Sequence, residues 1–286
     1  MRQNVETFIG CDAAYDAARV VLFGAPFDST TSYRPGARFG SAAIRHESYG
    51  LETYSPYLDR DLEDVQVFDS GDLELPMGSA QMALDAISER TREILTDGKL
   101  PFMIGGEHLV TLGAFREICR QYPDVHIIHF DAHADLRQDY LGVELSHACV
   151  LRRCHDLVGD GRIHQFGIRS GERTEFSWAK EGHTDMHPLN FDGLDEVVKR
   201  LEAEHNPVYL TVDLDVLDPS VLSGTGTPEA GGVTFNQLRE ALMMVCQRLN
   251  IVGCDVNELA PNLDLSGVST AVACKIVREL LLAIIK

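Results

Sequence analysis

The chain has 286 residues, 44% hydrophobic and 24% charged, with 44 Asp and Glu against 25 Lys and Arg for a formal charge of -19. That balance belongs to a globular protein with a large core and excludes disordered or collagen-like classes, while the acidity repels phosphate backbones and anionic lipid, so neither nucleic acid nor a membrane is an expected partner. Met1 to Glu6 lead into no apolar core of signal-peptide length, no apolar run reaches the roughly 18 residues of a membrane span, and seven cysteines without a CxxC pair suit a reducing cytoplasmic compartment.

In chain order, Val20 to Phe23 and Val65 to Phe68 are the first strand candidates. Leu84, Ile87, Thr91 and Ile94 then mark one face of a helix that Gly98 stops. Strand candidates follow at Pro101 to Ile104, Val125 to Phe130, Ile163 to Phe166 and Val208 to Val212, several of them nearly continuous in apolar character, as strands covered on both faces are. Thr234 and Gln237 have capping-box spacing at the start of a helix with Leu238, Leu242, Val245 and Leu249 on one face. Ile251 to Cys254 is the seventh strand candidate, and a last helix covers Ser269 to Ile285. Strand and helix in alternation imply an open parallel sheet with helices on both faces. No repeat or Gly/Ser linker divides the chain, so residues 1–286 are read as one domain.

In such sheets ligands bind beyond the carboxyl ends of the strands. The run ending at Phe130 continues into Asp131-Ala132-His133-Ala134-Asp135, and the run ending at Val212 into Asp213-Leu214-Asp215. Residues two apart on extended chain share a face, which pairs Asp131 with His133 and Asp213 with Asp215. A third strand ends in Ile104-Gly105-Gly106-Glu107-His108, where the glycines allow a tight turn and close approach. Three strand ends therefore offer two imidazoles and four carboxylates. Crowded carboxylates do not all ionise without cations. Two divalent ions about 3.5–4 Å apart suit the set better than one, and oxygen-rich ligation with one imidazole per ion favours Mn²⁺.

Together, Gly105 to His108, Asp131 to Arg137 and Asp213 to Pro219 resemble the signature segments of the ureohydrolases, the family of arginase and agmatinase, and the likeness runs from about Gly24 to the last helix. It implies a three-layer α/β/α fold around an eight-stranded, mainly parallel, arginase-like sheet, with the eighth strand near Met186. It further implies two Mn²⁺ per subunit, one held by His108 and Asp135, the other by His133 and Asp215, with Asp131 and Asp213 bridging. Catalysis would use a water acidified by both ions, with Asp135 as proton acceptor, His147 as proton shuttle and Glu258 as the carboxylate that pairs with the guanidinium. Thr227, in a Gly-rich turn, would line the site. Cys149 stands where the family more often has Ser or Thr, and a Cys149 nucleophile is the competing enzyme class.

The resemblance is closest to the agmatinase branch. Arg137 stands where arginase-like recognition expects Asn, and the runs Ser32 to Gly36 and Tyr54 to Tyr57 fit that branch. The expected reaction is cleavage of agmatine, a small cationic guanidino substrate, to putrescine and urea. Glu172 is the candidate carboxylate for its distal ammonium. Alternatives are arginine, a guanidino acid such as guanidinobutyrate or guanidinopropionate, or a non-catalytic binding member of the fold. A homo-oligomer, trimer or hexamer, is expected by family analogy.

Overall fold

Val20–Gly24 (β1) is buried along its whole length, so its apolar run shows no alternation. The computed structural model describes residues 6–285; Met1 to Val5, part of the stretch read for a leader, lie outside them. After β1 come Gly40–Ser48 (α1), a short hairpin of Tyr54–Ser55 (β2) and Arg60–Asp61 (β3), Val67–Asp72 (β4) and Ala80–Thr96 (α2). Leu100–Ile104 (β5), Val110–Gln121 (α3), His126–Phe130 (β6), Val150–Val158 (α4), Ile163–Ile168 (β7) and Arg173–Lys180 (α5) follow. The chain closes with Asp185–Pro188 (β8), Leu194–Glu204 (α6), Pro207–Asp213 (β9), Phe235–Arg248 (α7), Asn250–Asn257 (β10) and Val268–Ile284 (α8).

The sheet has eight strands in the order β4-β1-β5-β10-β9-β6-β7-β8. Every pairing in it is parallel, so the sheet expected to be mainly parallel is wholly so. The eighth strand is the segment around Met186, at the edge beside β7. Alternate strand residues feed two cores. Val20, Leu22, Leu210 and Val212 pack with α1, α6, α7 and α8, while Val21, Phe23, Tyr209 and Val252 pack with α2 to α5. Thr234 and Gln237 form a reciprocal capping box at α7, and Gly98, with φ +70°, follows α2. No helix among the described residues is long and apolar enough to cross a membrane. The four central strands, β5-β10-β9-β6, end side by side, and their carboxyl ends carry His108, Glu258, Asp213 and Asp131.

Candidate metal centre

His108 follows β5 through a turn that only glycine fits, since a Cβ on Gly106 would lie 2.0 Å from the Phe27 carbonyl oxygen. Its Nε2 is 2.9 Å from Thr211 Oγ1, and that hydroxyl donates to Asp255 Oδ1 at 2.6 Å. The hydroxyl has one proton and gives it to Asp255, so it accepts from Nε2–H; this network assigns the tautomer and leaves the Nδ1 lone pair as the free end of the ring. Nδ1 stands 3.0 Å from Asp131 Oδ2, 3.1 Å from Asp135 Oδ2 and 3.5 Å from Asp213 Oδ2. It is buried and makes no hydrogen bond.

A second group forms around His133, whose Nδ1 is 3.0 Å from Asp215 Oδ2 and 3.6 Å from Asp131 Oδ1. Asp131 thus offers one oxygen to each imidazole. Two of the aspartates are held from behind by backbone and aim their other oxygen inward. Asp213 Oδ1 accepts from Asp215 N at 2.9 Å and Asp215 Oδ1 from Ala132 N at 3.2 Å. Asp135 adopts φ +54°, a left-handed conformation that Asp tolerates better than most residues. The structure brings all six sequence-derived ligand candidates together, with His108 beside Asp135 and His133 beside Asp215.

The electrostatics show what this donor set lacks. Burial and then the charge of Asp131 push Asp135 up to about 7, and burial with Asp215 and Asp131 lifts Asp213 well above the carboxylate range. Burial opposes charging His108, yet Asp131 and Asp135 raise it well above its ordinary value. The cluster therefore binds protons more tightly than free carboxylates and imidazoles do, a sign of the positive charge its donor set calls for. An orphaned imidazole nitrogen surrounded by carboxylate oxygens, in two groups sharing Asp131, is a donor set that fits oxygen-loving divalent cations. A metal-binding cluster of His and Asp side chains is therefore built into this sheet edge.

Above it opens a pocket of about 260 Å³ whose wall includes His108, His133, Asp135, Asp213, His147, Thr227 and Glu258. A larger cleft of about 980 Å³ lies at the opposite, amino ends of β1, β5 and β10, away from this chemistry. Glu258, at φ +68°, anchors Oε1 on the His108 backbone N–H at 2.8 Å. Burial and Glu107 raise its carboxyl well above the ordinary value, so an incoming cation stabilises the ionised form. Thr227 Oγ1 donates to Asp215 Oδ2 at 3.3 Å. His147 Nδ1 lies 3.3 Å from the Thr30 carbonyl and Nε2 3.2 Å from Ser32 Oγ. Burial, then His133 and His108, lower it to about 4, so its resting form is the neutral imidazole.

One expectation changes. Glu172 does not line the pocket; it is exposed, caps α5 and pairs with Arg137 at 2.8 Å, and the wall carboxylate is Glu175, one helical turn on. Of the run at Ser32, the serine reaches the pocket while Tyr33 is exposed, and Tyr57 is also exposed, under Arg239 at 4.2 Å. Cys149 is a poor nucleophile, since burial and Asp135 push its thiol up to about 12.

Other supporting residues were not singled out from the sequence. His129 Nε2 donates to Asp131 Oδ2 at 2.7 Å while Gln165 Nε2 donates to its Nδ1 at 3.1 Å, which makes it a support for Asp131 rather than a ligand. The signal was available, for His129 precedes Asp131 by two on one strand face. Glu107 binds Thr30 N at 2.8 Å and Thr31 Oγ1 at 3.1 Å, fixing the loop against which His147 packs. Nothing local in the sequence marks that contact.

The model of the arginase family matches residues 18–283. An agmatinase from Bacillus anthracis is 47% identical over 283 residues, covering 98% of this chain and 97% of that protein. An agmatinase from Bacillus subtilis is 46% identical over 285 residues, covering 98% and 97%. The crystal structure of agmatine ureohydrolase from Thermoplasma volcanium superposes with a TM-score of 0.90 at 32% identity, covering 99% of this chain and 95% of that one.

Proposed function

The chain belongs to the arginase family, and from that premise we propose that it is a manganese-dependent hydrolase that cleaves agmatine to putrescine and urea. The observation that carries the reading is the orphaned His108 Nδ1 facing Asp131, Asp135 and Asp213, with Glu258 in the same pocket wall. His108, Asp131, Asp135 and Asp213 would hold one Mn²⁺, and His133, Asp131, Asp213 and Asp215 the other. When bound, the pair would supply a water acidified to near neutral pH as the nucleophile for the guanidinium carbon.

The chain's own side chains supply the rest. Glu258 pairs with the guanidinium through the carboxylate oxygen that the His108 N–H leaves free. Asp135 accepts a proton, and Thr227 steadies Asp215. His147 keeps its proton on Nδ1, against the Thr30 carbonyl, and presents Nε2 to relay a proton toward the leaving amine. The distal wall favours a cationic tail. Arg137 pairs with Glu172 at 2.8 Å and lies 3.8 Å from Glu175, with its guanidinium over Tyr140, so a substrate carboxylate would compete with Glu172 for it whereas a cationic tail would not need it. Glu175, the buried carboxylate behind Arg137, accepts from the Leu136 and Glu172 backbone N–H groups at 2.8 and 2.6 Å and adds negative charge to this part of the wall. Family resemblance adds a cytoplasmic homo-oligomer, trimer or hexamer.

The test is urea release from agmatine, arginine, guanidinobutyrate and guanidinopropionate with one manganese-loaded preparation whose metal content is measured. Agmatine should give the highest kcat/KM at two ions per chain. A higher value for a guanidino acid or arginine would overturn the substrate while leaving the family chemistry, and a single ion would overturn the dinuclear reading.

A further inference from the structure

His155, Asp160 and His183 converge at the far ends of α4 and α5, on three separate segments of chain. His155 is in the last turn of α4, Asp160 lies between Gly159 and Gly161 in the turn before β7, and His183 lies in the turn before β8. His155 Nε2 is 2.8 Å and His183 Nδ1 2.7 Å from the same Asp160 Oδ1, and the three ligand atoms lie within 4.8 Å of one another. The rings are fixed by Trp178. His183 stacks on it at 4.5 Å and 16°, and His155 meets its edge at 4.6 Å and 79°. Arg152 covers the indole at 4.0 Å, and Glu181 Oε2 is 3.8 Å from His183 Nε2.

We propose that His155, Asp160 and His183 form a second cation site, distinct from the carboxylate-rich centre and suited to a borderline transition ion such as Zn²⁺ or Cu²⁺. Two imidazoles and one carboxylate are a ligand set for those ions rather than for Mn²⁺, which prefers oxygen. Neutral imidazoles bind by shifting their single proton to the opposite ring nitrogen, and Glu181 stands near His183 Nε2 to receive that N–H. Asp160 is largely exposed, so an ion reaches the site from solvent, while ring packing on Trp178 lowers the ordering cost of the two imidazoles. Occupancy would tie the end of α4 to the turn after α5.

Trp178 is the single tryptophan of the chain, so its fluorescence reports this site. Manganese-loaded protein titrated with Cu²⁺ should show saturable quenching near one equivalent. His155→Gln and Asp160→Asn, which leave the pocket and its urea-releasing activity alone, should move the midpoint by about tenfold or more, the loss of one ligand in three. In the unmutated protein Zn²⁺ should block the quenching competitively and Mg²⁺ should not. Quenching that rises linearly with copper, ignores Zn²⁺, or is the same in both variants would overturn the proposal and leave the cluster as a carboxylate accepting two imidazole hydrogen bonds.

Discussion

His147 shows how one side chain acquires a role from its neighbours. Its backbone N–H donates to Thr30 Oγ1 at 3.0 Å, and that hydroxyl gives its own proton to Glu107 at 2.5 Å. With the ring proton held at Nδ1, Nε2 carries the lone pair, and a pKa near 4 keeps it unprotonated through the neutral range. His147→Asn should therefore leave metal content unchanged and lower kcat by roughly 10²–10⁴. Metal analysis beside steady-state kinetics checks this, and a variant that turns over at the parent rate means that the proton travels another way. The six ligand candidates could be singled out because they stand in short motifs at three strand ends, and His147 through the family resemblance. Glu107, Thr211 and Asp255 were not, because their partners come from distant segments and no periodicity marks such a meeting. The Glu172 expectation missed by one helical turn: in the α5 capping box Glu172 is the outer member and Glu175 the one that turns into the wall.

The strands that could be read from sequence are those whose burial on both faces makes them continuously apolar, such as β6 and β7. β8 was placed only through the family resemblance, since Asp185 and His187 interrupt its hydrophobicity at the sheet edge. β4 extends past Phe68 into Asp69-Ser70-Gly71-Asp72, where polarity concealed it; Asp69 and Asp72 bind the buried Arg45, with Arg45 Nε 2.8 Å from Asp69. β2 and β3, of two residues each, have no period to detect. The β5–α3 turn is the element on which the site depends most. A Cβ at Gly106 would meet Phe27 backbone O, N and C at 2.0, 2.7 and 2.8 Å, and backbone does not move aside as a side-chain tip does. The Gly106 carbonyl also accepts from Glu258 N at 2.8 Å, so displacement there moves both His108 and Glu258. Gly106→Ala should destabilise by about 1–3 kcal/mol and weaken manganese binding. Gly78→Ala, with nothing within 4 Å of the new methyl, should stay within about 0.5 kcal/mol of the parent. Denaturant unfolding and manganese titration of the pair separate a backbone clash at the site from a generic Gly-to-Ala effect; equal behaviour of the two variants would remove Gly106 from the account.

A chain with formal charge -19 that also buries Asp131, Asp135, Asp213, Asp215 and Glu258 around one crevice must offset that charge with protons or with cations. With protons alone, Asp135 and Glu107 lie at about 7, each raised first by burial. Their unfolded values are near 4, so between about pH 4 and 7 the folded molecule holds protons that the unfolded chain has released, and stability falls as pH rises. His108 and His133, raised well above their ordinary value, act in the same direction: their contribution is full below the unfolded histidine pKa of about 6.5 and is lost as pH climbs through the folded value. His147 and His126, lowered to about 4, and His129 and His164, lowered chiefly by burial, oppose them up to pH of about 6.5, and Asp131, lowered well below the carboxylate range, has its effect at more acid pH. Above about pH 6.5, where the lowered histidines are neutral in both states, the balance predicts a metal-free protein whose unfolding midpoint drops toward pH 8.5. Manganese bound at this cluster would replace those protons, so its stabilising increment, about 2.7 kcal/mol per ion at a free concentration a hundred times Kd, should widen as pH rises, with protons released on binding. Thermal unfolding with manganese and with chelator across that range measures the gap directly. A gap that stays constant or narrows toward pH 8.5 would mean that protons and cations do not compete for the same oxygens and nitrogens.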